Sequence, residues 1–141
     1  MNVVNQFRGN HHKSATRRGA AAVEFAMTAP IFFLFLLAAF EFGWLNVIRH
    51  TADNAAYEAA RTAIVPGATA DEARDKANEL LNIVGARAAT VTVMPALLTP
   101  ETNQVTVEID IPMASNGLIV PRFTGGTVLH SSSTLRTERA E

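Results

Sequence analysis

The sequence contains no cysteine, and it has few aromatic residues beyond its first third. Without cysteine the chain has no disulfide framework, no thiolate metal site and no cysteine nucleophile. Only Tyr57 and Phe123 are aromatic after Leu45. If this part of the chain is exported, it must therefore be held together by aliphatic packing or by partners.

Acidic side chains are absent from residues 1–18, although this segment carries Arg8, Lys13, Arg17 and Arg18. The formal net charge of the whole chain is -1, so an acidic excess follows this basic leader. Because the rest of the chain has no basic patch suited to nucleic acid, we expect no nucleic-acid partner.

An apolar run follows the leader. Residues 25–40 contain no charged side chain, and beyond Glu41 the run continues to Ile48. This length is enough to cross about 30 Å of hydrocarbon. Residues 31–37 are all apolar, so they cover every face of a helix. The core helix of a soluble domain is the alternative, but the later sequence has too few aromatic residues to surround it. We therefore predict a transmembrane helix.

The flanks of this helix predict its orientation. More Lys and Arg residues precede the run than follow it, which favours a cytoplasmic N-terminus and an exported C-terminal part. Trp44 is suited to the outer interface. Glu24 and Glu41 are 17 residues apart, about 25 Å along a helix. Each carboxylate is therefore expected near a different interface of the inner (cytoplasmic) membrane.

Cleavage by the conventional signal peptidase is not expected. That enzyme requires small residues in an A-x-A-like arrangement after the apolar core. The residues here read "LLAAFEFGW", with bulky or charged side chains in the required places.

A different processing signal is present in "RRGAAAVEFA", where a cut after Gly19 makes Ala20 the first residue. Glu24 and Phe25 then become the fifth and sixth residues. This pattern resembles the type IV prepilin signal, and more closely the TadE-like minor pseudopilins of the tight-adherence (Tad) pilus. The resemblance covers Arg17–Arg61, including Pro30, the second "EFG" and the alanine-rich "AAYEAAR". Beyond it the likeness is only general.

The resemblance implies that a membrane-embedded aspartyl prepilin peptidase cuts after Gly19 and leaves the apolar helix in place. Gly19 has no Cβ, so an extended backbone can enter a protease cleft closely. Arg17 and Arg18 hold the segment at the anionic cytoplasmic face. The implied partners are this peptidase, other pilin or pseudopilin subunits and the Tad assembly machinery.

Three residues are predicted to serve assembly: Glu24, Pro30 and Glu41. The Glu24 carboxylate lies one turn from the new Ala20 amine, and the resemblance implies that it attracts the amine of a neighbouring subunit. A glutamate that merely reaches interfacial water is the alternative. Pro30 removes a backbone donor and should kink or loosen its turn, which the resemblance links to packing in a filament.

Beyond the membrane the helix is expected to continue as a stalk to about Thr62. Ala52, Ala56, Ala59 and Ala63 form a stripe of small residues that allows another helix to approach closely. Alanine is also the best helix former, so the stripe has a second explanation. "VPGAT", Val65 to Thr69, ends this helix.

The remaining sequence predicts a short helix and strands. Thr69 and Glu72 fit a capping box for a helix from Ala70 to about Val84, closed by Gly85. Its apolar residues cluster near its end, so only the last turns are expected to bury much. Period-two alternation predicts strands at Thr90–Met94 and Gln104–Ile111, and a third is expected over Thr127–Arg136. Pro112–Phe123 is expected to be a loop with an apolar tip.

The predicted fold is α+β: a long N-terminal transmembrane helix extended into a stalk, then a short helix and a small antiparallel sheet of about three strands. The predicted segments are a cleaved leader at 1–19, a TadE-like helix and stalk at 20–64, and an exported domain at 65–141.

The sequence does not suggest an enzyme, a metal site or a cofactor. His11 and His12 lie in the leader, and His50 and His130 are interpreted as solitary. Apolar and polar residues alternate along the predicted strand, so Glu108 and Asp110 are interpreted as part of its solvent-exposed face and not as a catalytic pair. Ser131–Ser133 lacks a histidine and carboxylate arrangement that would activate a hydroxyl.

The function predicted from the sequence is a minor pseudopilin or accessory assembly component of a Tad-type (type IVc) pilus or secretion system, in the membrane or incorporated in the pilus. The alternative is an uncleaved single-pass anchor whose exported domain binds an envelope or surface partner. A membrane-tethered hydrolase would require a pocket with convergent polar groups, which the sequence does not indicate.

Overall fold

A computed structural model describes residues 12–118 and 120–137 of the chain. The elements in chain order are helix α1, helix α2, strands β1 and β2, a short 3-10 helix and strand β3. Their bounds are His12–Ala63, Ala70–Ile83, Thr90–Met94, Gln104–Pro112, Met113–Ser115 and Val128–Arg136. The predicted α+β fold is confirmed. Of the predicted leader, residues 1–11, which include His11, lie outside the described residues.

Helix α1 combines the predicted transmembrane helix and stalk in 52 residues, and Pro30 lies inside it. The helix ends at Ala63, one residue beyond the expected end of the stalk. The chain divides into two compact units, Met1–Ala38 and Ala39–Glu141. The second unit therefore contains both the predicted stalk and the predicted exported segment.

The described part of the first unit exposes large apolar side chains on all sides of α1. They are Val23, Phe25, Met27, Ile31, Phe32, Phe33, Leu34, Phe35, Leu36 and Leu37. Within residues 12–118 and 120–137, α1 is the one helix long and apolar enough to cross a membrane. An apolar surface of this extent requires lipid or protein to cover it.

Helix α2 begins and ends with the predicted capping residues. The Glu72 N–H donates to Thr69 Oγ1 at 3.2 Å, and the Thr69 N–H donates to Glu72 Oε2 at 2.8 Å. At the other end, Gly85 has φ +64°. The N–H groups of Gly85 and Ala86 donate to the carbonyls of Asn82 and Leu81 at 3.0 and 3.1 Å. This Schellman arrangement favours glycine because it needs the left-handed conformation.

The three strands form one antiparallel sheet in the order β1-β2-β3. Val107 pairs with Val93 on one side and with Ser133 on the other. The predicted alternation of β2 is confirmed, because Val105, Val107, Ile109 and Ile111 are all 0% exposed. Strand β2 includes Pro112, one residue beyond its predicted end, and β3 starts one residue later than predicted.

One hydrophobic core joins the C-terminal part of α1, helix α2 and the inner face of the sheet. The predicted alanine stripe lies in this core, since Ala52, Ala56, Ala59 and Ala63 are buried. Small side chains allow elements to pack closely, and here they serve the packing of their own unit.

The expectation that only the last turns of α2 bury much is wrong. Ala70, Ala73, Ala77 and Leu81 are buried along its whole length, whereas Ile83 is 75% exposed. The buried positions share one face of the helix, so three alanines extend the contact that Leu81 makes near the end of the helix.

Candidate functional site

The predicted processing residues all lie in α1: Arg17, Arg18, Gly19, Ala20, Glu24 and Phe25. Gly19 and Ala20 are exposed. A Cβ placed on Gly19 would meet nothing within 4 Å. The fold of the chain therefore does not require glycine here, although glycine inside a helix costs roughly 0.5–1 kcal/mol relative to alanine.

Glu24 is exposed on α1, and its carboxylate has no hydrogen-bond or ion partner among the described residues. Its carbonyl oxygen accepts a bond from Thr28 Oγ1 at 2.9 Å. Two residues further on, Pro30 has no N–H to donate to the carbonyl of Ala26. Threonine back-bonding and an internal proline both favour bending, so this turn is predisposed to bend.

Glu41, by contrast, is held by a loop of its own unit. Its Oε2 accepts the Arg122 N–H at 3.2 Å, and its Oε1 accepts the Phe123 N–H at 2.9 Å. The same Oε1 accepts the N–H and the hydroxyl of Thr124 at 2.6 and 2.7 Å. Three successive backbone donors around one carboxylate form an anion-binding nest. We call this arrangement the Glu41 clamp.

Aromatic and amide contacts extend the Glu41 clamp along α1. The rings of Phe42 and Phe123 stack with centroids 6.3 Å apart. Trp44 Nε1 donates to the backbone oxygen of Asn116 at 2.7 Å. The loop after β2 is therefore attached to α1 at two levels, near Trp44 and near Glu41.

Asn116 is a structural residue that the sequence did not indicate. Its Oδ1 accepts the Arg87 N–H at 2.6 Å, and its Nδ2 donates to the carbonyls of Arg87 and Pro112, both at 2.8 Å. The side chain is buried and uses both ends of its amide. Because Arg87 is 29 residues away, local spacing does not reveal the pair.

Comparison with known protein families supplies the classification. The model of the family described as TadE-like protein matches residues 19–61. Residues 19–61 form a TadE-like segment. The resemblance predicted from the sequence is thereby confirmed over these residues. No curated protein and no solved structure matches the chain.

The TadE-like segment contains Gly19, Glu24, Pro30 and Glu41, and it ends within the alanine-rich part of α1. The TadE-like family is associated with the Tad pilus and is structural rather than catalytic. Its single apolar helix fits a single-pass membrane anchor.

The interpretation of His130 as solitary is wrong. Its Nδ1 lies 2.7 Å from Asp110 Oδ1, because the antiparallel register places these residues opposite each other on β3 and β2. The hydrogen bond to Asp110 raises the pKa of His130, and the charges of Asp110 and Glu108 add to this effect while partial desolvation opposes it.

The C-terminal serines are not arranged for nucleophilic chemistry in the described structure. Ser131 Oγ donates to Asp53 Oδ1 of the TadE-like segment at 2.7 Å, whereas the neighbouring His130 points to the other face of the strand. Residues 12–118 and 120–137 contain no group of three or more His, Asp or Glu side chains that could hold a metal ion. A shallow groove beside His50 is lined by Thr51, Asn54, Leu80 and Ile83, none of which is acidic.

Proposed function

We propose that the chain is a minor pseudopilin or accessory assembly component of a Tad-type (type IVc) pilus or secretion system. The observation that carries the proposal is the start of the TadE-like match at residue 19, the glycine after which the prepilin-like cut is expected. The basic leader precedes this point, and the exposed apolar surface of α1 follows it.

Processing after Gly19 by a prepilin peptidase is the first step of the proposal. The bond between Gly19 and Ala20 lies inside α1, so the helix must open before an extended backbone can enter a protease cleft. Glycine lowers the cost of that opening by roughly 0.5–1 kcal/mol compared with alanine. The open space around Gly19 supports a requirement imposed by the peptidase and not by packing.

Assembly through the N-terminal helix is the second step. Cleavage creates an amine on Ala20, one helical turn from the Glu24 carboxylate. A carboxylate at membrane depth favours a partner, and Glu24 has none among the described residues. We infer that it pairs with the amine of a neighbouring subunit, while the weakened turn at Thr28 and Pro30 lets the helix adapt to its neighbours.

The positive-inside rule supports a cytoplasmic leader and an exported second unit, with α1 as a single-pass anchor in the inner membrane before assembly. Processing on the cytoplasmic side removes the basic leader, which would otherwise resist extraction of the subunit from the membrane.

Mass spectrometry of the membrane-extracted protein tests the proposal. We expect an N-terminus at Ala20 in cells with an active prepilin peptidase, and an intact Met1 form when the peptidase is inactivated. Gly19→Leu should block the cut. Gly43→Leu is the matched control, because Gly43 is also a helical glycine with open space around it. An intact Met1 form in cells with active peptidase would contradict the proposal and leave the uncleaved membrane anchor.

A further inference from the structure

A patch of exposed apolar side chains surrounds the Glu41 clamp. It consists of Phe40 and Phe42 on α1, and of Leu118, Val120 and Phe123 on the loop that follows β2. All five side chains are about half exposed or more, and Val120 is 76% exposed. We call this the junction patch. The core of the second unit uses none of these side chains.

The loop approaches the apolar run as it proceeds. Asn116 is attached to α1 at Trp44, whereas Arg122, Phe123 and Thr124 are attached at Glu41. Glu41 precedes Trp44 by three residues, about 4.5 Å along the helix axis. The chain between these contacts carries Leu118 and Val120. Between Asn116 and Thr124 the point of attachment on α1 thus changes from Trp44 to Glu41, which lies between Phe40 and Phe42 in the sequence.

The Glu41 clamp supplies hydrogen-bond acceptors to the backbone of the loop, which are required where water is scarce. Backbone N–H groups that lose water without gaining another partner destabilise a structure. The carboxylate of Glu41 accepts the N–H groups of Arg122, Phe123 and Thr124, so these donors stay paired away from water. The side chain of Arg122 is exposed, and a long basic side chain of this kind can reach lipid phosphate.

We propose that the junction patch inserts into the outer interfacial layer of the bilayer that α1 spans, and that the Glu41 clamp makes this insertion possible. The occupant of the patch is lipid at the boundary between headgroups and acyl chains. In the sequence, Phe40 of the patch ends the uncharged stretch and Phe42 follows directly after Glu41, which supports lipid as the occupant over a distant protein partner. The inference rests on the membrane-anchor part of the proposed function.

Because the chain contains no cysteine, a single introduced cysteine can be labelled specifically to measure its depth in the bilayer. The full chain carrying Val120→Cys is labelled with bimane and placed, one copy per disc, in nanodiscs of phosphatidylethanolamine and phosphatidylglycerol. Some discs contain lipid with a nitroxide near the headgroup, and others contain lipid with a nitroxide deep in the acyl chain. Leu97→Cys is the matched control, an exposed apolar loop position of the same unit (79% exposed). Ile31→Cys reports on the transmembrane helix.

The expected result is that the shallow nitroxide removes most of the fluorescence of the Val120 label and leaves the Leu97 label bright, while the deep nitroxide quenches the Ile31 label. If the Val120 label stays as bright as the Leu97 label while the Ile31 label is quenched, the inference is wrong and the anchor stands. If all three labels stay bright, both the anchor and the inference are wrong. A Val120 label shielded from aqueous iodide but not quenched by lipid would show protein on the patch, which also overturns the inference.

A second variant tests the support by Glu41. Glu41→Leu removes the acceptors of the clamp, so the Val120 label should lose its quenching by shallow nitroxide while Trp44 fluorescence reports whether the unit remains folded. Unchanged quenching in a folded Glu41→Leu protein would overturn the role of the Glu41 clamp. If this variant does not fold, the Val120→Cys measurement in the otherwise unaltered chain still decides the insertion.

Discussion

Glu41 and Thr124, 83 residues apart in the chain, are joined by two hydrogen bonds, in which the N–H and the hydroxyl of Thr124 both donate to Glu41 Oε1. Thr124 is 2% exposed, so this contact is shielded from solvent on the loop side. The second acidic residue of the TadE-like segment is thus part of the tertiary structure of its own chain. The first, Glu24, has no such partner among the described residues.

Removing the carboxylate of Glu41 is expected to release the loop. In Glu41→Leu the amides of Arg122, Phe123 and Thr124 lose their common acceptor, so their hydrogen exchange should become much faster. Thr124→Val removes only the hydroxyl bond and should have a smaller effect. Amide exchange of the full chain in detergent, followed by mass spectrometry, measures both. Thr106→Val is the control, because its hydroxyl bonds to Thr134 on the exposed side of the sheet. Unchanged exchange in Glu41→Leu would contradict the Glu41 clamp.

Asn116→Ala should destabilise the second unit by roughly 1–3 kcal/mol, since it leaves hydrogen-bonding groups of Arg87 and Pro112 without their partner. Denaturant unfolding in detergent, followed by the fluorescence of the single tryptophan, Trp44, reports the change. Asn54→Ala is the matched control, because Asn54 is exposed on α1. Equal unfolding midpoints for the two variants would show that the contacts of Asn116 contribute no stability.

The pair formed by His130 and Asp110 predicts a pH dependence. Because the pKa of His130 is raised above the ordinary value of 6.5, the pair stabilises the fold fully below that value. This contribution is lost as the pH rises through the folded pKa. The Tm of the chain, measured between about pH 5 and 8, should therefore fall more steeply in the native chain than in His130→Gln. His50→Gln serves as control. If Tm changes with pH in the same way in the native chain and in His130→Gln, the pair does not contribute to stability.

Enlarging a residue of the alanine stripe should disturb the core of the second unit. Ala56 is 0% exposed, so Ala56→Leu forces extra methyl groups into closely packed space and should cost about 1–3 kcal/mol. Ala39 is an exposed alanine of the same helix, and Ala39→Leu should leave the unfolding midpoint nearly unchanged. If both variants unfold at the native midpoint, the space around Ala56 is not tightly packed and the prediction is wrong.

Glu24→Gln tests the proposed amine pairing separately from processing. Glutamine keeps the shape of the side chain but not its charge, so the cut after Gly19 should persist while incorporation into the assembled complex is lost. Intact mass and co-purification with pilus subunits measure the two effects. Glu58→Gln, in the same helix, is the matched control. If Glu24→Gln assembles normally while Gly19→Leu still blocks cleavage, the pairing is wrong and processing stands.

Several elements could be predicted closely because their signals are local. The capping box of Thr69 and Glu72 involves residues three apart, and Gly85 marks the end of α2 by its own conformational freedom. The alternation of Val105, Val107 and Ile109 similarly depends only on the period of a strand. The burial along the whole of α2 was not predicted, because the larger apolar residues, which include Leu81 and Ile83, cluster near its end and the alanines before them give a weaker signal of burial.

The contacts around Glu41 could not be predicted in the same way. Spacing along a helix predicts that Glu41 lies near a membrane interface. It did not indicate that backbone N–H groups 81 to 83 residues further along the chain donate hydrogen bonds to its carboxylate. Asn116 gave no signal, since an asparagine beside a glycine is typical of a turn whether or not its amide is buried. His130 and Asp110 became partners only through the register of β2 and β3.

The sequence by itself determined the long apolar helix, the caps of α2, the face of β2 that is buried and the TadE-like segment, because each depends on residue types at fixed, short spacings. Only the tertiary structure decided that Glu24 and Glu41 of that segment differ. The loop after β2 supplies three backbone donors to Glu41, whereas Glu24 has no partner among the described residues. Local periodicity carries no information about such a path, because it arises from how the helix, the sheet and the loop pack together.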